Sequence, residues 1–159
     1  MTSSKSSNKT LKIFSAGGFL FDFEKDKVLL LRAHHQYGNI VAPKGKIEAG
    51  ETKEQAAWHE VVEETNYDEI ELVAPVGENH FHYRNKVADY SIPLGAEVDK
   101  TIYYFLFRLK SQHKVDKREP HEDFESLWLD FEEAINLLTH KNDKKLLAKA
   151  VEIYRSLKN

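Results

Sequence analysis

The stretch GKIEAGETKEQAAWHEVVEETNY, residues 45–67, sets Glu60, Glu63 and Glu64 within five positions of one another, with Glu51 a short way upstream. At about 100° per residue, Ala57, Trp58, Val61, Val62 and Thr65 fall on one helical arc that can pack on a sheet. Glu60, Glu63 and Glu64 fall on the neighbouring arc, and Ala56 lies on that arc one turn earlier, leaving it unobstructed. A solvated acidic face is the commonplace reading of such a helix. Two features oppose it. Like charges at helical spacing cost about 0.2–0.5 kcal/mol per pair. The helix also supplies no compensating cation: neither Lys nor Arg occurs from Gln55 to Ile70, and Lys44, Lys46 and Lys53 all precede the cluster. A hard divalent cation offsets the repulsion, and Mg²⁺ takes carboxylate oxygens while keeping several waters.

Such a cradle needs a scaffold. The 159 residues suffice for one domain with its own core. Residues 1–9 read as a flexible polar tail and 10–159 as the single domain. The runs 12–23 and 27–33 read as a strand pair around a charged turn, and 34–51 as a loop punctuated by Gly and Pro. Thr52 or Glu51 is the expected cap of a helix over 53–65. Residues 69–83 read as extended, 84–99 as loop, and 100–110 as a central strand, apolar on both faces. A polar loop at 111–123 precedes a strand at 124–130. Two helices follow, split at Lys141 and Asn142. Mixed strands with helices outside give a layered α/β (α+β) domain.

Composition narrows the chemistry. The chain has no cysteine, which removes thiolate ligands, disulfides and a cysteine nucleophile. The net charge of −3 offers no global field for nucleic acid or an anionic membrane. No apolar run approaches the ~20 residues of a membrane span, and the polar start lacks a secretory h-region. A cytoplasmic protein without membrane contact is the expectation.

Residues 45–67 resemble the Nudix box, G-x5-E-x7-R-E-U-x-E-E-x-G-U, with U an apolar residue. Gly45, Glu51, Glu60, Val61, Glu63 and Glu64 match in register. The preceding PKG and the early SAGGFLF are similar to the family too. The resemblance implies a Nudix-like α/β/α sandwich with a mixed sheet and a loop-helix-loop motif. It implies hydrolysis of a nucleoside diphosphate linked to a group X, by water attack within a pyrophosphate. It assigns Glu60, Glu63 and Glu64 to catalysis and to Mg²⁺ (or Mn²⁺), with Glu60 orienting or deprotonating the water. It adds the Lys44 carbonyl, and Glu122 from the loop before the last strand, where Asp123 and Glu125 compete with it. Three positions depart from the pattern. His59 replaces an Arg that braces the carboxylates, Asn66 replaces a Gly, and Tyr67 closes the motif. Asn is the best non-glycine residue for a left-handed helix cap.

The flanks are similar to the diadenosine tetraphosphate hydrolase branch, which splits dinucleoside polyphosphates asymmetrically. That similarity implies substrate contacts from Lys44, Gly45 and Lys100, and adenine stacking on Phe81, His82, Tyr83 or Tyr90; core strand packing is the competing reading of 79–83. Alternative substrates are RNA 5′ ends, diphosphoinositol polyphosphates, nucleotide sugars and nucleoside triphosphates. RNA would call for a basic patch, for which Arg84, Lys86, Lys114, Lys117 and Arg118 are the candidates. A non-catalytic nucleotide sensor is the alternative of another class. His34 and His35 read as plain surface residues. A monomer or weak homodimer is the expected state.

Overall fold

A computed structural model describes residues 9–87, 92–115 and 124–159. The elements run β1 (Leu11–Asp22), β2 (Lys27–Ala33), β3 (Asn39–Val41), β4 (Lys44–Lys46), α1 (Lys53–Thr65), β5 (Ile70–Arg84), β6 (Glu97–Leu109), β7 (Phe124–Asp130), α2 (Phe131–Leu137) and α3 (Lys141–Lys158). The sheet is ordered β3-β2-β1-β6-β5, with β4 paired to β1 and β7 to β2. It is mixed: β1 and β6 are parallel and the other pairs antiparallel. β6 is central, as its apolar character on both faces requires.

Alternation along β1 and β6 sorts their side chains into two cores. Phe19, Phe21, Ile102, Tyr104 and Leu106 pack with Leu147, Ala150 and Tyr154 of α3. Ala16, Leu20, Phe105 and Phe107 pack with Ala57 and Val61 of α1. Helices thus cover both faces. Burying each large side chain contributes about 1.5–3 kcal/mol, so these two layers dominate the fold's stability. Among the described residues no helix is long and apolar enough to cross a membrane.

α1 spans the expected residues. Thr52 caps it in a capping box: Gln55 N–H donates to Thr52 Oγ1 at 3.1 Å, and Thr52 N–H to Gln55 Oε1 at 2.9 Å. Asn66 ends it in the left-handed region at φ 68°, donating its N–H to Val62 O.

Three boundaries differ from the sequence reading. Residues 39–41 and 44–46, read as loop, form short strands because β2 and β1 each present free backbone to them. β6 begins at Glu97, inside the expected 84–99 loop, because β5 pairs with it as far as Arg84. The break between the last helices falls at 138–140, and Lys141 and Asn142 belong to α3. There Thr139 turns to β3: its N–H donates to Ile40 O and its Oγ1 accepts from Ile40 N–H at 2.8 Å.

Asn66→Ala is expected to cost about 1 kcal/mol, since Ala lacks the short polar side chain through which Asn tolerates the left-handed region. Asn66→Gly should match or exceed the parent. Urea unfolding of the two variants checks the order.

Candidate metal and phosphate site

α1 docks on β1 through Ala57, Val61 and Thr65, all buried. Ala56 is buried too, so the carboxylate arc tips inward toward β4. Glu60 and Glu64 are half-buried, while Glu63 stays on the exposed rim. The fit against β4 is close. A Cβ on Gly45 would lie 2.2 Å from the Glu60 carboxyl. Gly45 is therefore needed for space. Lys44 N–H donates to Glu64 Oε1 at 3.3 Å.

The two carboxyls are hydrogen-bonded to each other. Burial, then the charge of Glu60, pushes Glu64 up to about 8. Burial, then the charge of Glu63, pushes Glu60 up as well. Burial and like charge both disfavour ionisation of this pair, and a bound cation would offset both. The donor set, hard oxygens on one inward arc beside a glycine-made gap, fits a divalent ion.

Glu51 lies apart from this pair. It accepts from Glu48 N–H at 2.9 Å and meets His59 Nδ1 at 2.5 Å. The Glu48 amide first, then His59, holds the Glu51 carboxyl below its usual range. His59 thus braces the loop to the helix through Glu51.

The other face of β4 carries the opposite charge. Lys46, Gly45 and Lys44 pair with Ser15, Ala16 and Gly17. Since Gly45 faces α1, alternation turns Lys44 and Lys46 to the α3 side. Lys100 pairs with Ile13 and Phe81, on the same side. The three lysines line a cavity of about 220 Å³ with Ile13, Ser15 and Ile92. Burial, then the Lys44 ammonium, lowers the Lys100 value. Lys46 and Ser15 were not singled out from sequence. The alternation in Lys-Gly-Lys was the available signal, but it is meaningful only once those residues form a strand.

Phe81 and Tyr83 share the face of Lys100 and are about a third exposed, at 37% and 36%. His82 lies on the opposite face. Its ring meets Asp99 Oδ1 at 2.7 Å and Glu97 Oε1 at 3.0 Å, and Asp99 first of all raises its value. Arg84 pairs with Glu97 at 2.5 Å, and Lys114 lies over the Tyr67 ring. His34 and His35 are exposed beside Glu125 and Phe124. Glu122, Asp123, Tyr90, Lys117 and Arg118 lie outside the described residues. One further group, Asp68, Glu69 and His113, brings its ligand atoms within 4.8 Å at the surface.

The carboxyl pair sets a pH dependence. The folded protein keeps a proton on Glu64 up to about 8, against an ordinary value of 4.5. The unfolded chain therefore binds fewer protons between those values, and stability falls as pH rises through that window. In the absence of divalent cations, the urea midpoint should drop from pH 5 to pH 8. Glu64→Gln should flatten the slope.

Comparisons with known proteins bear on the family and the fold. Residues 12–150 match the family model of the NUDIX domain. A relative named for mutator protein MutT4, from Mycobacterium tuberculosis, is 28% identical over 158 residues, 95% of this chain and 59% of that protein. RNA pyrophosphohydrolase of Campylobacter jejuni is 30% identical over 84 residues, 52% of each chain. This chain thus spans little more than half the length of the curated relatives it matches. The structure of a C. elegans Ap4A hydrolase binary complex superimposes with a TM-score of 0.68 at 22% identity, covering 91% of this chain and 98% of that one. The family match over most of the chain, with the shared fold, makes this chain a member of the Nudix family.

Proposed function

We propose that this Nudix hydrolase splits diadenosine tetraphosphate asymmetrically, with water, into ATP and AMP. One observation carries the reading. β4 presents its glycine to a carboxylate pair on one face and two lysines to a cavity on the other. A polyphosphate chain threaded past this strand would meet both halves at once.

The residues divide the work by chemistry. Lys44, Lys46 and Lys100 neutralise and align the phosphates, which is most of what phosphoryl transfer asks of a protein. Glu60, Glu64, Glu63 and the Lys44 carbonyl would hold Mg²⁺ or Mn²⁺, with Glu122 added on resemblance. When bound, that ion supplies charge neutralisation and a more acidic water. Glu60 would orient the attacking water or take its proton, a role consistent with its raised value. Gly45 lets the backbone approach the phosphates. Phe81 and Tyr83, beside Lys100, offer faces on which adenine can stack. His82, engaged by two carboxylates on the far face, acts at most through the shape of β5.

RNA 5′-end pyrophosphohydrolysis is the second reading, favoured by the relative from Campylobacter jejuni. The paired state of Arg84 weakens the expected basic patch.

Product analysis with diadenosine tetraphosphate and Mg²⁺ decides between them. ATP plus AMP is expected, with turnover reduced at least about a hundredfold in Glu64→Gln. Cleavage of triphosphorylated RNA alone would replace the first reading with the second. Phe81→Ala should raise KM for the dinucleotide about tenfold and leave inorganic triphosphate binding unchanged, consistent with stacking of about 1–3 kcal/mol per base.

A further inference from the structure

The row that crosses the sheet beneath the lysine cavity reads Lys44, Gly17, Tyr104, Gly77. Two of its four members lack side chains. A Cβ on Gly17 would lie 2.6 Å from Cβ of Lys44, and one on Gly77 would lie 3.0 Å from Leu146 in α3. The first gap leaves no side chain between Lys44 and Tyr104 on that face. The second lets α3 settle close to the sheet. What α3 brings down is Asp143, in its first turn and only 5% exposed.

Asp143 is fixed from the sheet side. Asn79 Nδ2 donates to its Oδ1 at 2.9 Å, and the Tyr104 hydroxyl donates to the same carboxylate. Both partners donate, which suits an ionised acceptor. Burial first of all pushes the Asp143 carboxyl above its usual range, and the field of Lys44 opposes that push. A buried carboxylate of this kind is costly without a purpose or a partner. The lysine it faces has a problem of its own. Lys44 and Lys100 repel each other across the cavity, and a lysine side chain loses freedom when it binds.

We propose that Asp143 is a positioning residue for Lys44. Its carboxylate, anchored by Asn79 and Tyr104, draws the Lys44 ammonium across the gap at Gly17 and seats it in the cavity before the phosphates arrive. This rests on the reading of Lys44 as a phosphate contact. It also accounts for Gly77, which the carboxylate half of the site does not require.

The alternative is that Asp143 only helps α3 pack. Its negative field would then oppose an anion, and Asp143→Asn would leave anion affinity unchanged or raise it. The test is a double-mutant cycle of Lys44→Ala and Asp143→Asn on the full chain. The readout is calorimetric affinity for inorganic triphosphate, with thermal unfolding as a check on folding. Asp143→Asn is expected to weaken binding about three- to tenfold with Lys44 present, and by less than about twofold in the Lys44→Ala background. Equal effects in both backgrounds, no effect, or tighter binding would overturn the inference and leave the phosphate reading standing. Unchanged affinity in Lys44→Ala would overturn both. Should Asp143→Asn fail to fold, Tyr104→Phe takes its place in the cycle, with the same sign required.

Discussion

Three residues of β4, laid antiparallel on Ser15–Gly17 of β1, place the rest of the site. The pairing depends on contacts that leave almost no room. A side chain on Gly17 would strike Pro43 O at 2.1 Å, and one on Gly45 would strike the Glu60 carboxyl at 2.2 Å. With both absent, a short strand slots between β1 and the acidic helix. Its alternation then sends Gly45 to the carboxylates and Lys44 and Lys46 to the cavity. Displacing this strand would separate the carboxylate half from the lysine half.

Each half is unfavourable alone. Glu60 and Glu64 repel one another and are partly stripped of water, so a proton is retained near neutrality. Lys44 and Lys100 repel across the cavity, and burial lowers the value of Lys100. Concentrated like charge of this kind is what a fold tolerates where a ligand completes it. A cation on one face and a polyphosphate on the other would satisfy both halves. The capping box, the Asn66 cap and the Glu51–His59 brace hold α1 in place so that the strain is not relieved by movement.

Much of this was legible in the sequence, for reasons visible in particular residues. Helical periodicity and cap chemistry placed α1 and its carboxylate arc, because both signals are local. The apolar run at 100–110 identified the central strand, since burial on both faces is written into composition. β4 was missed: three residues beside Pro43, one of them glycine, carry no strand pattern of their own and are strands only because β1 is there. Which of Phe81 and His82 faces the cavity was likewise hidden, because alternation gives relative sides and not which side holds the cavity. Asp143 was not singled out from sequence. Its burial follows from Gly77 letting α3 approach through Leu146, a contact far apart in sequence.

The central claim is that the carboxyl pair on α1 is a cation cradle that holds a proton in the cation's place. Titration of the protein with Mg²⁺ at pH 7, by calorimetry in buffers of different ionisation enthalpy, measures this directly. Release of about one proton per bound ion is expected, because Glu64 must lose its proton to serve as a ligand. Glu64→Gln should abolish that release. Binding without proton release, or release undiminished in Glu64→Gln, would contradict the account.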